Sequence, residues 1–157
     1  MKLDEIDHRI LQILQADART SNKELAAQIG LAPSSCLERV KRLREYEVLL
    51  GFHAAVNPAK LNISLEAMIS VQLQKHSRDF VDSFTNHLLS LPEVTTIYHL
   101  AGSHDYLVHV AVKDTNHLRD LALDAFTTRE EVAQIQTSLI FSCKRKAILP
   151  SYEAPEH

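Results

Sequence analysis

The stretch SNKELAAQIGLAPSSCLERVKRLREYEVLL, residues 21–50, decides the fold of the first third of the chain. It predicts a short helix, a turn at Gly30 and a longer basic helix from Pro33 to Tyr46. On a helical wheel, the apolar side of the longer helix carries Cys36, Leu37, Val40 and Leu43, and the opposite side carries Ser35, Glu38, Arg39, Arg42 and Tyr46. A helix that enters the major groove of DNA needs one side packed against the protein core and a cationic opposite side that faces the DNA. The pattern therefore predicts the recognition helix of a helix-turn-helix.

The residues on either side complete a small domain. Leu3 to Gln15 places its apolar residues on one arc and predicts a first helix. Ser21 and Glu24 have the spacing of a capping box, which starts the second helix. Residues 49–56 alternate loosely and predict a β-hairpin wing with a histidine near its tip. Residues 1–56 are thus expected to form a winged helix-turn-helix.

A different pattern follows a hinge at residues 57–64. The expected elements are a strand Leu65–Leu73, a helix Arg78–Leu91, strands Val94–Ala101 and Tyr106–Val112, a helix Thr115–Phe126 and a strand Ile135–Cys143. This βαββαβ order predicts a ferredoxin-like domain over residues 65–157, ending in a basic, frayed tail. The fold class is therefore α+β. One face of the sheet is covered by helices, and the other is free to pack against a second copy.

Charge is distributed unevenly along the 157 residues, whose formal net charge is −3. Residues 1–50 hold eight cationic and eight anionic side chains, but residues 33–46 alone hold four cations and two anions. Since DNA affinity depends on where the cations lie, the total does not exclude a DNA-binding protein. It does predict a modest affinity per subunit, which favours a dimer or a larger assembly.

Several other classes find no support in the sequence. No apolar run approaches the roughly 18 residues that span a bilayer, and the acidic N-terminus does not resemble a signal peptide. We therefore expect no membrane partner. The expected location is the cytoplasm, in association with the nucleoid. Cys36 and Cys143 are far apart and are interpreted as reduced thiols. His99, His104 and His109 lack metal-ligand spacing, so we expect neither a metal site nor a cofactor.

Six residues are predicted to contact double-stranded DNA. Arg39 and Arg42 are expected to engage guanine or phosphate, because a guanidinium presents a fork of donors. Ser34 and Ser35 lie in the first turn of the recognition helix and are expected to donate to phosphate or a base. Asn22 and Lys23 open the preceding helix and are expected to hold phosphates. The alternative is a solvated amphipathic helix with incidental arginines.

The two halves together resemble the Lrp/AsnC (feast/famine) family of transcriptional regulators. The residues that carry the resemblance are LDEIDHRILQILQADARTSNKELA from Leu3, LAPSSCLERVKRL from Leu31, PEV from Pro92, AGSHDYLV from Ala101 and TSLIFSCKRKAILP from Thr137. The resemblance implies a winged-helix DNA reader joined to a domain that dimerises through its sheet. It also implies that dimers assemble into tetramers or octamers, with an amino acid bound between dimers near the turn at residues 102–105.

This implied effector site centres on Asp105, whose carboxylate would accept an α-ammonium group. Backbone N–H groups near Gly102 and Ser103 would hold the α-carboxylate. His104 would bond the effector side chain or make the site pH-sensitive. A neighbouring copy would complete the pocket with Thr127, Thr137 and Ser138. From the local sequence alone, the simpler interpretation is that the aspartate caps a tight hairpin turn.

Three positions depart from the family pattern. Ala32 stands where serine is usual, which weakens the N-cap of the recognition helix, and Glu47 replaces the glycine that usually follows it. Residues 127–131 replace a Leu-Pro-Gly type of segment beside the effector site. We therefore expect a DNA-binding transcriptional regulator, not an enzyme, and we expect an amino acid as the small effector that modulates it. A sirohaem-decarboxylase-like enzyme of the same architecture and an amino-acid sensor without DNA binding are the alternatives.

Overall fold

The structure, a computed structural model, describes residues 1–74 and 77–152. The chain divides into two compact units. One contains Met1–Ala55 together with the described tail residues 144–152, and the other is Val56–Cys143. Each unit has its own hydrophobic core.

The first unit is built on three helices: α1 (Glu5–Ala16), α2 (Asn22–Ile29) and α3 (Pro33–Glu45). Capping boxes start α1 at Asp4 and α2 at Ser21, so their first backbone N–H groups are satisfied. Gly30 ends α2 in a left-handed conformation at φ 73°, which glycine adopts without steric cost. The core between the helices consists of Ile10, Leu14, Leu25, Ala26, Ile29, Cys36 and Leu43.

The expected wing is absent from this unit, so that prediction was wrong. Residues 50–57 contain neither helix nor strand, and all of them are exposed. The segment has no Asn-Gly or similar pair at its centre to turn a two-residue hairpin. Its backbone groups are therefore left to water instead of to a cross-strand partner.

The second unit is an antiparallel sheet with helices on one face. Its elements are a 3₁₀ turn Pro58–Leu61, β1 (Leu65–Leu73), α4 (Arg78–Ser90), β2 (Val94–His99), β3 (Tyr106–Val112), α5 (Thr115–Leu121) and β4 (Val132–Leu139). The strand order β2-β3-β1-β4 is that of the expected ferredoxin-like fold. The predicted hinge at 57–64 is thus part of this unit and contains a short helical turn.

Several element boundaries differ from the sequence-based expectation, most of all in the last strand, which also ends four residues early at Leu139, and in the helix before it. The last strand begins at Val132, three residues earlier than expected, because its register is set by pairing with β1, from Leu73 opposite Val132 to Ala67 opposite Leu139. The helix expected over residues 115–126 is α-helical to Leu121 and then continues as a π-helical segment, Ala122–Thr127.

Alternation along the strands separates the two faces of the sheet. Ala67, Ile69 and Val71 of β1 are fully buried under the helices, with Val108 and Val110 of β3 beside them. The opposite face presents the intervening side chains, which are Met68, Ser70, Leu107, His109, Ala111, Thr96 and Tyr98. No helix covers this open face within the described residues of the second unit. No helix among residues 1–74 and 77–152 has both the length and the apolarity to cross a membrane.

The tail also differs from expectation. The sequence pattern places residues 144–157 in the second domain as a frayed end, but the described part, residues 144–152, belongs to the first unit. The Leu149 N–H donates to Gln15 Oε1 over 2.9 Å, and Ser151 Oγ lies 3.0 Å from His8 Nδ1. These contacts hold the tail along α1.

Candidate nucleic-acid interface and effector turn

The orientation of α3 determines which of its side chains reach a ligand. Cys36 and Leu43 are fully buried and Val40 is partly buried, so these residues form the docked side of the helix. Leu37, which we expected on that side, has 54% of its surface exposed. The helix is therefore rotated relative to the predicted wheel, because the true apolar ridge follows the spacing i, i+4, i+7 from Cys36.

The rotation turns Arg39 inward. Its Nη1 donates to Asp4 Oδ2 over 2.7 Å and to Asp7 Oδ1 over 2.8 Å, and only 25% of its side chain is exposed. The Asp7 side chain is 1% exposed, so its charge is compensated mainly by this guanidinium. The predicted outward position of Arg39 was therefore wrong. Its contacts make it a structural link between α1 and α3.

Electrostatic interactions in this cluster favour the charged forms of Asp4 and Arg39. Two bonds lower the pKa of Asp4: the first from the backbone N–H of Asp7 and the second from Arg39. Hydrogen bonds to Asp4 and Asp7 raise the pKa of Arg39. Arg42 is held more loosely, since its Nη2 lies 3.4 Å from Asp7 Oδ2 and 47% of its side chain is exposed. Arg42 is thus more accessible to a ligand than Arg39 is.

The other residues predicted to contact DNA divide in the same way. Asn22 Nδ2 donates to the Pro33 carbonyl over 2.8 Å, so this side chain joins the start of α2 to the start of α3. Its Oδ1 is buried and can only accept, which does not suit a phosphate. Lys23, Ser34 and Ser35 are exposed. These three and Arg42 are thus accessible, whereas Arg39 and Asn22 are partly buried and are engaged in hydrogen bonds within the unit.

Both ends of α3 carry the departures seen in the sequence. Ala32 is the N-cap residue and supplies no side-chain hydrogen bond, as expected. Glu47 has a left-handed backbone with φ 55°. Around it, the Val48 N–H donates to the Leu43 carbonyl and the Glu47 N–H donates to the Arg44 carbonyl, which is a Schellman motif with glutamate where glycine is favoured.

The turn expected to bind an effector, residues 102–105, connects β2 to β3 and is anchored on β1. Asp105 Oδ2 accepts from the Leu73 N–H over 2.7 Å, and the Asp105 N–H donates to the Val71 carbonyl over 2.9 Å. Gly102 and Ser103 are exposed, and His104 Nδ1 lies 3.1 Å from Ser103 Oγ. The aspartate therefore holds the turn against β1, and this fixes the direction of its carboxylate.

A single copy does not bring the other three predicted effector residues to this turn. Thr127 Oγ1 donates to the Ala122 carbonyl within its own helical segment. Thr137 and Ser138 are exposed on β4, which is separated from β3 by β1. Being consecutive in a strand, they also point to opposite faces of the sheet.

A surface cavity of about 400 Å³ lies beside the first turns of α4, and its lining consists of Asp79, Phe80, Ser83, Thr128, Arg129, Glu130 and Glu131. Glu131 is buried, and its Oε1 accepts from Arg129 Nη2 over 2.6 Å and from Ser83 Oγ over 3.0 Å. Burial opposes ionisation of Glu131, but Arg129, a backbone N–H and Ser83 outweigh it and lower the pKa. Within residues 127–131, the segment that departs from the family pattern, Arg129 and Glu131 thus form an ion pair with each other.

Comparison with protein families covers both units. The AsnC-type helix-turn-helix domain model matches residues 3–44, which contain α1 to α3. The Lrp/AsnC ligand binding domain model matches residues 66–147, which contain the sheet and its helices. The chain belongs to the Lrp/AsnC family.

Relatives within the Lrp/AsnC family match nearly end to end. The HTH-type transcriptional regulator AldR of Mycolicibacterium smegmatis is 45% identical over 92% of this chain and 85% of its own length. The transcriptional regulator AzlB of Bacillus subtilis is 34% identical over 93% of both chains. A Neisseria meningitidis regulator solved as an L-Met complex superposes with a TM-score of 0.89 and 32% identity, over 95% of this chain and 97% of that one.

Membership in the Lrp/AsnC family settles the broad function. The protein is a DNA-binding transcriptional regulator with a ligand-binding domain. The recognised resemblance and the fold class were therefore correctly predicted from the sequence.

Sequence reasoning missed two features of the interface. Lys41 lies on the exposed side of α3, 3.8 Å from Glu45, with 65% of its side chain exposed. A helical wheel whose apolar side is defined by Cys36 instead of Leu37 places Lys41 on the exposed side. Asp7 was not recognised as the buried partner of Arg39, although an aspartate at the first turn of an apolar helix is a visible signal.

Proposed function

We propose that the protein reads DNA with the exposed first turn and outer side of α3. Ser34, Ser35 and Arg42 contact bases or phosphates, and Lys23 contacts the backbone from the start of α2. The observation that carries this proposal is the docked α3 of a family helix-turn-helix with these side chains accessible. Arg39 and Asn22 position the helix instead of contacting DNA.

The test begins with duplexes selected from random sequence by the wild-type protein. Arg42→Ala is expected to weaken binding about tenfold, since a guanidinium contact to DNA contributes roughly 1–3 kcal/mol. Arg119→Ala is the control, because it removes an exposed arginine of the second unit. Equal affinities of the two variants in fluorescence anisotropy would contradict the proposal.

We further propose that an amino acid is the effector and that it binds at the turn of residues 102–105 between copies of the chain. The L-Met bound to the related Neisseria regulator and the fixed carboxylate of Asp105 support this. Thr127, Thr137 and Ser138 would be supplied by another copy, with His104 beside the effector side chain. Binding then favours one assembly and sets the spacing of the recognition helices.

A thermal-shift screen of the twenty amino acids, starting with L-methionine, tests the effector. A ligand at 100 times its Kd stabilises the native form by about 2.7 kcal/mol. Asp105→Asn retains an oxygen that accepts from the Leu73 N–H but removes the charge, so it is expected to fold and to lose the response. A response of the same size in Asp105→Asn would place the ammonium site elsewhere.

We propose that the assembly begins as a dimer through the open face of the sheet, which presents Met68, Leu107 and Tyr98. Light scattering of Leu107→Glu is expected to show monomers.

As a DNA-binding regulator the protein acts on the nucleoid in the cytoplasm and not as an enzyme. An absorbance shift on mixing with sirohaem would argue for the enzymatic alternative.

A further inference from the structure

The tail of residues 144–152 changes the charge of the unit that binds DNA. Residues 1–55 carry eight cationic and eight anionic side chains. Residues 144–152 add Lys144, Arg145 and Lys146 and no anion, and two glutamates follow at positions 153 and 156 of the sequence. All three cations are exposed, and the tail belongs to the same compact unit as α1 to α3.

Several cations within the three helices are already engaged. Arg39 is paired with Asp4 and Asp7, and Arg42 approaches Asp7. Lys41 lies 3.8 Å from Glu45. Part of the positive charge of the helices is therefore compensated within the protein. Lys144, Arg145 and Lys146, by contrast, have no ion pair to any residue in the described ranges.

The docking contacts restrict where these cations can reach. Leu149 is bonded to Gln15, which lies in the last turn of α1, just before the loop that leads to α2. A chain extends at most about 3.6 Å per residue, so Lys146 stays within roughly 11 Å of Leu149. In a helix-turn-helix, the helix that precedes the recognition helix crosses the phosphate backbone. In this chain that helix is α2.

We propose that Lys144, Arg145 and Lys146 form an additional DNA-backbone contact, which is held in place by docking of the tail on α1. The ligand is the phosphate backbone of duplex DNA, and the contact carries no sequence information. This proposal goes beyond the reading of bases by α3 and does not depend on which site is recognised.

A mixed-sequence 40-base-pair duplex is a sufficient probe, because phosphate contacts do not depend on sequence. The variant Lys144→Gln/Arg145→Gln/Lys146→Gln is compared with Lys60→Gln/Arg78→Gln/Lys113→Gln, which removes three exposed cations from the second unit. Affinity is measured by anisotropy from about 50 to 200 mM salt. The tail variant is expected to bind at least about tenfold more weakly and to reduce the slope of log K against log salt by about 2–3 per chain.

A second variant tests the docking. Gln15→Ala/Ser151→Ala keeps every charge but removes the two bonds that hold the tail, so its slope is expected to lie between those of the wild type and the tail variant. Circular dichroism and light scattering verify fold and assembly. Equal losses in the tail variant and its control, an unchanged salt slope, or a loss explained by a change of assembly would each overturn the proposal. Failure of the wild type to bind any duplex would instead refute DNA binding itself.

Discussion

At the scale of single residues, the decisive contact is the one between Asp7 and Arg39. A carboxylate with 1% of its side chain exposed persists in a small core only if a cation and hydrogen-bond donors compensate it. Arg39 does so while also bonding Asp4. Arg39 of the recognition helix therefore links α3 to α1.

This contact predicts that Arg39→Ala destabilises the first unit by about 2 kcal/mol or more, because it leaves Asp7 buried with only the distant Arg42 as partner. Arg42→Ala is expected to cost less than about 1 kcal/mol, since its side chain is half exposed and 3.4 Å from Asp7. Urea unfolding monitored by circular dichroism measures both. Similar losses in the two variants would contradict a structural role specific to Arg39.

The sequence could not reveal this role, because an arginine that binds phosphate and one that binds a buried carboxylate look alike in a helical pattern. What decides between them is the orientation of α3, which is set by the packing of Cys36 and Leu43. Asp105 shows the same ambiguity. Its position in the turn was evident from the sequence, but its bond to the Leu73 N–H depends on the neighbouring strand.

At the scale of elements, sequence patterns predicted the helices and the strand order well, because each element has a clear period and the first two helices are capped. The prediction of a wing was wrong, because a loose alternation of apolar and polar residues without a turn signal does not make a hairpin. The predicted boundary of β4 was wrong, because the limits of a strand at the sheet edge are set by its pairing with the neighbouring strand. Local sequence thus determines the type of an element more firmly than its limits.

The C-terminal end of α3 gives a prediction at this scale. Glu47 at φ 55° adopts a conformation that costs a side-chain-bearing residue roughly 1 kcal/mol, so Glu47→Gly is expected to stabilise the first unit by about that amount. Melting of this unit should rise by about 4–8 °C. Glu45→Gly, the same change two residues earlier inside the helix, should lower it. A Glu47→Gly variant that melts at or below the wild-type temperature would show that the turn is not strained.

At the scale of the whole molecule, each unit contains carboxyl groups whose pKa values are lowered. Asp4 in the first unit is lowered by the Asp7 N–H and by Arg39. In the second unit, Glu131 is lowered by Arg129, a backbone N–H and Ser83, which together outweigh burial. A carboxyl group with a lowered pKa binds fewer protons folded than unfolded, so its stabilisation is complete above the ordinary value and is lost as pH falls.

For Glu131 the ordinary pKa is 4.5, and stability should therefore be flat at higher pH and decline as pH falls below that value. Glu131→Gln cannot titrate, so it is expected to be less stable than the wild type at pH 7 but to lose less on acidification. Its neutral amide still accepts from Ser83 and Arg129, which preserves the fold of the cavity. Calorimetry from pH 3 to pH 7 compares the two proteins, with Glu130→Gln as an exposed neighbour that should follow the wild type. Parallel pH profiles for Glu131→Gln and the wild type would show that the buried ion pair does not set the acid limit of the second unit.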